Sequence, residues 1–379
     1  MSKTDYYEKR TEHKRVKSEI VSKYLLTWVN IIGPKSNELH YLDLFSGRGI
    51  YKDGLPATPL MIFNEIEKAA IKIPWILDKL HLSFFEGKKI YYDMLSMTLR
   101  QHPIYKLLKN EPIIIKQKID TNFISNNSNL LRDRTYTFID PFGYTDISLD
   151  LVDSVSKHWG CDCLFYLSIS GLIRNIREPK KEESNRNFFG DLGFERLINS
   201  IENNTTSLSE IILTEIELIL RTKNNYRVIK YGVEFGKMRR VSHFLVFISK
   251  HKLGYEKMRH IMIKQGYEDS SGYPILRFSE TLKKKQSKAE LKLGDRSKNL
   301  ITYSNQLLED FGQRVIKVES LLEECVEKEY PLANTHIKKL LRYLEVNDKV
   351  LISRLDMNGN PRAGERIQRH DIVSFIEGA

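Results

Sequence analysis

Between residues 16 and 32, apolar side chains fall at Val16, Ile20, Tyr24, Leu25, Trp28 and Ile32. A repeat of three to four residues predicts an amphipathic helix, and Gly33-Pro34 ends it. The period then changes. LHYLDLF (39–45) is a short apolar run that predicts a buried strand, and it leads straight into Ser46-Gly47-Arg48-Gly49. Three similar runs follow: LHLSFFE (80–86), EPIIIKQKI (111–119) and TYTFIDPF (135–142). Helical stretches at 59–71 and 88–102 separate them. A helix over 147–159 precedes a fifth run, CDCLFYLSI (161–169). Strands that alternate with helices imply right-handed crossovers and a mostly parallel sheet covered on both faces.

Residues 174–220 break this rhythm. They are polar at first, then helical at 194–203 and 208–221, which predicts an inserted helical lid. Strand-like runs at 225–235 and 239–250 are closely spaced and predict an antiparallel pair at the sheet edge, with a helix over 254–265 behind them. A lysine-rich linker occupies 281–299. Helices at 318–329 and 334–347 come next, then a β-hairpin over 349–367 with Asn358-Gly359 at its turn. Helix, turn, helix and a two-stranded wing is the winged-helix order. The expected organisation is an α/β domain over 1–173 and 221–280, a helical insertion over 174–220, the linker, and a winged helix over 300–379.

Charge sharpens this picture. The 379 residues carry a formal net charge of +11, which favours a polyanionic partner, nucleic acid first. The excess is local. Residues 221–298 hold 20 Lys and Arg against 7 Asp and Glu, whereas 1–220 are balanced and 299–379 are slightly acidic. No run of 18 apolar residues exists and the N-terminus has no apolar core of a signal peptide, so a cytoplasmic protein without a membrane anchor is expected. Cys161, Cys163 and Cys325 form neither a disulfide framework nor a zinc site, and no metal is expected.

Candidate chemistry lies where strands end. In an open α/β sheet, ligands sit beyond the carboxyl ends of the strands. Asp43, Phe45, Gly47 and Gly49 follow the first strand; the glycines read either as a tight turn or as a loop that lets backbone approach a ligand. Glu86 ends the second strand, as a solvated charge or as a carboxylate for a vicinal diol. Asp120, near Asn122, ends the third; it is a turn residue or an acceptor for an adenine amine. Asp140-Pro141-Phe142-Gly143-Tyr144 ends the fourth. Alone it reads as a turn. Beside the other three sites it reads as a device that accepts a hydrogen bond from an exocyclic amine through Asp140 and stacks Phe142 or Tyr144 on an extruded base.

At these residues the chain resembles the class I S-adenosylmethionine-dependent methyltransferases. More narrowly it is similar to the bacterial three-Cys-motif partner (TcmP) family, in its opening helix SEIVSKYLLTWVNII, in YLDLFSGRG, FFEGKK, FIDPFGYTDIS and HFLVFISKHKLGYEKM, and in its C-terminal segment. The resemblance implies a Rossmann-like methyltransferase sheet, S-adenosylmethionine as cofactor, and a neighbouring protein with a three-cysteine motif, often in phage-related settings. It implies Asp43, Gly47 and Gly49 on the methionine side of the cofactor, Glu86 on the ribose and Asp120 on the adenine. Asp140, Pro141 and Phe142 match the (D/N)-P-P-(Y/F) position of amino-methyltransferases. Phe142 stands where a second proline is usual, a form similar to that of tRNA guanine-N2 methyltransferases. LPATPL (55–60) replaces the GSPL-like turn common in the family.

Three functions compete. The first is an N-methyltransferase acting on DNA or RNA. The second is a catalytically inactive nucleic-acid-binding adaptor for the three-Cys-motif protein. The third is a magnesium-dependent nuclease built on Asp78 and Glu86-Gly87-Lys88. Basic residues propose the nucleic-acid contacts. Lys283, Lys284 and Lys285 lie in the linker; His336, Lys338, Lys339 and Arg342 lie on the second C-terminal helix; Arg362 and Arg366 lie on the wing. Lys338 and Arg342, at i and i+4, share a face. The same residues also read as a solvated helix that contacts protein.

Overall fold

The computed structural model describes residues 9–120, 122–203, 207–235, 240–265, 267–268, 274–278, 294–328, 330, 332 and 334–376. The chain divides into two units, Met1–Gln265 with Leu276–Thr281, and Gly266–Ile275 with Leu282–Ala379. The linker lysines Lys283, Lys284 and Lys285 lie outside the described residues. Among the described residues no helix is long and apolar enough to cross a membrane.

The first unit opens with α1 (Glu12–Ile32), which buries Val16, Ile20, Tyr24, Leu25 and Trp28. Seven strands follow: β1 (Leu39–Asp43), β2 (Leu80–Phe85), β3 (Ile113–Ile115), β4 (Thr135–Ile139), β5 (Asp162–Leu167), β6 (Arg227–Phe235) and β7 (Arg240–Ser249). They lie in the order β3-β2-β1-β4-β5-β7-β6. The first five are parallel, and β7 runs antiparallel to both β5 and β6. The chain moves outward from β1 to β3 and then returns to β4 on the other side of β1. The switch point therefore lies between β1 and β4, where open sheets hold ligands. Register keeps the strand ends level: Asp43 pairs with Phe84 of β2 and with Phe138 of β4. Glu86 and Asp140, each two residues further on, thus flank Asp43.

Several expected elements differ. The third strand stops at Ile115, because the alternating lysines and glutamine of the KQK stretch beyond it have no apolar face to bury. β6 is not the outermost strand: residues 276–278 add parallel to it. The helices expected as an inserted lid over 174–220 pack into the core of the sheet. The helix Leu208–Asn224 buries Ile212, Ile216 and Leu220 in the same core as Cys163, Phe165 and Leu167 of β5, so it is the crossover from β5 to β6. Phe188, Phe189, Phe194 and Leu197 of the preceding helices join that core.

In the second unit, helices Gly294–Phe311, Val318–Glu327 and Asn334–Val346 accompany strands Val315–Lys317, Val350–Ser353 and Ile372–Phe375. The sheet is antiparallel, with the third of these strands in the middle. The hairpin expected over 349–367 is wider than its turn suggested. Val350–Ser353 pairs with Ile372–Phe375, where Val373 and Phe375 alternate into the core. Asn358-Gly359 does turn the chain, with Gly359 at φ +86° and an isolated Leu355–Pro361 bridge. Pro361 has no N–H for a ladder, and the polar run after it buries no alternating face.

Candidate active site

One wall of the site is the loop after β1. The Ser46 N–H donates to the Phe85 carbonyl at 2.9 Å, and the Leu44 N–H donates to the Phe138 carbonyl at 3.1 Å, so the loop is stitched to β2 and β4. Gly47 and Gly49 adopt φ of +68° and +77°, a region that favours glycine. A Cβ on Gly49 would also meet Leu95 Cδ1 at 3.1 Å. Glu86 is buried beside this loop. Its Oε2 accepts the Gly47 N–H at 2.9 Å and its Oε1 accepts the Lys88 N–H at 2.7 Å. Burial raises its carboxyl above the ordinary value against the pull of these amides. Each oxygen keeps a second lone pair for an incoming hydroxyl. Asp43 is fully buried: Oδ1 accepts the Phe45 N–H at 3.3 Å, and Oδ2 has no hydrogen-bond partner among the described residues. Burial first, then the nearby Asp140, push its carboxyl up to about 8.

Past the end of β4 lies a recess of about 130 Å³ lined by Asp140, Pro141, Phe142, Gly143, Tyr166, Ser168 and His243. Phe142 is 55% exposed at its mouth, with the Lys88 ammonium 4.9 Å from its ring centroid. The rings of Tyr166 and His243 stack at 5.0 Å with an interplanar angle of 8°. Lys17, only 4% exposed, reaches in from α1 and pairs with Asp140 Oδ2. Its Nζ also lies 4.4 Å from the Tyr166 ring centroid. Burial opposes the ammonium charge, but Asp140 and then Tyr166 outweigh it and raise the Lys17 pKa. Burial and then Lys17 lower His243 to about 4, so its imidazole is neutral at pH 7. Lys17, Tyr166, Ser168 and His243 were not among the sequence candidates. One signal existed: Lys17 lies on the apolar stripe with Ile20 and Tyr24, at i+3 and i+7.

The fold thus gathers Asp43, Gly47, Gly49, Glu86, Asp140, Pro141 and Phe142 at one end of the sheet. Other candidates go elsewhere. Asp120 is exposed, five residues past the end of β3; its Oδ1 accepts the Asn122 N–H at 2.9 Å. It borders a cleft of about 530 Å³ with Ile119, Ile124 and Ile147. Tyr144 does not face the recess. It is 3% exposed, its hydroxyl donates to Asn185 Oδ1 at 2.8 Å, and its ring meets Phe188 edge-on, so it is a core anchor and not a stacking platform. Asp78 precedes β2 and Glu86 follows it. Six strand residues put them roughly 20 Å apart, too far to share a metal ion, which removes the nuclease reading.

Most basic candidates of the second unit are committed internally. Lys338 Nζ donates to the Ile367 carbonyl at 3.0 Å, and burial lowers its pKa. Arg342 donates to the Glu365 carbonyl at 2.8 Å and pairs with the Glu365 carboxylate. Arg362 donates to the Leu355 and Arg366 carbonyls and, at 2.7 Å, to Asp371 Oδ2. The face shared by Lys338 and Arg342 therefore holds the 354–371 loop. His336 is buried, whereas Lys339 and Arg366 are exposed.

No protein-family model and no curated protein matches the chain. Solved structures are similar at low identity. A predicted O-methyltransferase from Agrobacterium tumefaciens is 9% identical, over 60% of this chain and 78% of that one, with a TM-score of 0.31. A Legionella pneumophila protein is 12% identical, over 61% and 84%, with a TM-score of 0.34. A SAM-dependent methyltransferase from Aquifex aeolicus is 11% identical, over 63% and 98%, with a TM-score of 0.27. A sheet ordered β3-β2-β1-β4-β5-β7-β6, with β7 alone reversed among these strands, gives the chain a Rossmann-like fold of the methyltransferase type.

Proposed function

We propose that this chain is an S-adenosylmethionine-dependent methyltransferase that modifies an amino group on a base of DNA or RNA. One observation carries the reading: Asp140-Pro141-Phe142 opens into a recess at the switch point, level with the Gly47–Gly49 loop and Glu86. The residues fit the cofactor, since Asp43 Oδ2 is a buried polar atom without a partner among the described residues, near the Gly47–Gly49 loop. When bound, S-adenosylmethionine supplies an electrophilic methyl group. Asp43, Gly47 and Gly49 would hold its methionine side, with Phe45 beside them. Glu86 would accept the ribose hydroxyls. Asp140 accepts a hydrogen bond from the acceptor amine, which turns the nitrogen lone pair towards the donor. Phe142 stacks on the base. Orientation and fixed charge do the catalysis.

The wider reading adds the second unit as a winged helix on nucleic acid and a three-Cys-motif protein as partner. The helix, strand and sheet order of that unit supports the first of these. Labelled methyl transfer from S-adenosylmethionine to DNA and tRNA tests the proposal. The expected result is label on an exocyclic nitrogen, lowered about 100-fold or more by Asp140→Ala. No incorporation on either polymer contradicts it.

One observation favours the adaptor as a second reading: Lys17 already occupies one oxygen of Asp140. An adaptor binds nucleic acid without cofactor and works equally well with Asp140→Ala.

A further inference from the structure

A lysine ammonium is seldom buried unless its charge is matched. Lys17 is buried against Asp140 and Tyr166, two residues that line the recess, and its match is the one carboxylate that the methyltransferase reading needs free. Three segments meet there. α1 supplies Lys17, the end of β4 supplies Asp140, and β5 supplies Tyr166, whose ring the ammonium faces at 4.4 Å. The helix that carries Lys17 is itself tied down. The Arg10 N–H donates to Asp53 Oδ2 at 3.0 Å, and the Ser18 and Thr58 hydroxyls lie 2.8 Å apart. Asp140 Oδ1 accepts no hydrogen bond from a described residue, while Oδ2 belongs to Lys17.

We propose that Lys17 is a positioning residue: it fixes Asp140 through Oδ2 so that Oδ1 alone faces the acceptor amine. The proposal rests on the methyltransferase reading. An unpinned carboxylate rotates and offers either oxygen in several directions; a pinned one offers a single acceptor in one direction, and such preorganisation speeds the reaction. Lys17 is no base, because Asp140 and Tyr166 keep it protonated. Other titratable neighbours include Tyr51, Tyr41 beside Asp140, Asp43 at the end of β1, and His13 on α1 and His243 on β7, both held neutral at pH 7 by burial and by Lys17, with Lys14 also acting on His13. The inner part of the recess thus sets the Lys17–Asp140 ion pair against the rings of Tyr166 and His243, with Lys88 over Phe142 at the mouth.

Lys17→Met and Lys17→Arg test this. Lys17→Met is expected to lower kcat about 10- to 100-fold while KM for the cofactor stays within about twofold, and Lys17→Arg is expected to recover part of the loss. A second readout needs no activity. Histidine NMR of the full chain should show His243 titrating at higher pH in Lys17→Met, since a neighbouring cation is gone. It should titrate at lower pH in Asp140→Asn, where the Lys17 charge is uncompensated; this second shift decides the matter if Lys17→Met folds poorly. Unmoved titrations, or shifted titrations with an unchanged kcat, overturn the positioning role alone. Wild-type protein that transfers no methyl group, with the titration shifts present, overturns the methyltransferase reading and the positioning role with it.

Discussion

At the scale of single residues, the strand-end candidates were legible because each sits next in sequence to the apolar run that places it. Asp43 follows LHYL, Glu86 follows LSFF and Asp140 follows TFI, and parallel register puts Glu86 and Asp140 on either side of β1, two residues beyond Asp43. Lys17 was not legible in the same way, because its partner lies 123 residues away. His243 needed the insertion of β7 beside β5 to reach Tyr166. Tyr144 misled for the opposite reason: it is adjacent to the motif, but its hydroxyl finds Asn185 in the core. Asp43 yields a pH prediction. Its folded carboxyl titrates at about 8, against 3.8 as the ordinary value. Below pH 3.8 both folded and unfolded forms are protonated. Between the two values only the unfolded form ionises, so the contribution of Asp43 to stability falls as pH rises towards 8. Urea unfolding from pH 5 to 8.5 should show Asp43→Asn gaining on wild type as pH rises. Parallel curves would mean that Asp43 is ionised in the folded protein. Gly49→Ala should cost about 1 kcal/mol or more, from its positive φ and the 3.1 Å approach to Leu95. Thermal unfolding measures it, and no loss would show that the loop relaxes.

At the scale of elements, period and spacing identified β1, β2, β4, β5 and the helices between them. Each buries a continuous apolar run or a clear helical stripe. Elements whose burial depends on distant partners were less legible. The helix Leu208–Asn224 reads from sequence as part of an insertion, because the strand its apolar face packs against, β5, lies more than 40 residues earlier. The strand Ile372–Phe375 lay beyond the expected hairpin because a local Asn-Gly turn is a stronger signal than a pairing across 18 intervening residues. The same loop carries a test. Arg362 pairs with Asp371, which is fully buried, so Arg362→Ala leaves a carboxylate without its cation. A loss of about 3 kcal/mol in the second unit is expected, read as an earlier urea transition or faster hydrogen exchange at residues 350–375. If Arg362 is instead a phosphate contact, stability will hold and nucleic-acid affinity will fall.

At the scale of the whole molecule, the charge of +11 is a feature of one stretch, since residues 221–298 alone carry the excess. Changing Lys283, Lys284 and Lys285 together to Glu should weaken nucleic-acid binding and flatten the plot of log affinity against log salt by up to about three units. Unchanged binding would assign that stretch to solubility or to a protein partner. The central claim is that the acids at the ends of β1 and β2, with the Gly47–Gly49 loop, form a cofactor site. Calorimetric titration of S-adenosylmethionine into the wild-type chain and into Glu86→Gln tests this most directly. The substitution replaces one accepting oxygen of Glu86 with a donor, so a loop amide and a ribose hydroxyl compete for what remains. The expected result is saturable one-to-one binding to wild type, weakened about tenfold or more in the variant. Absence of saturable heat with the wild-type chain, or equal affinity in the variant, would contradict the account.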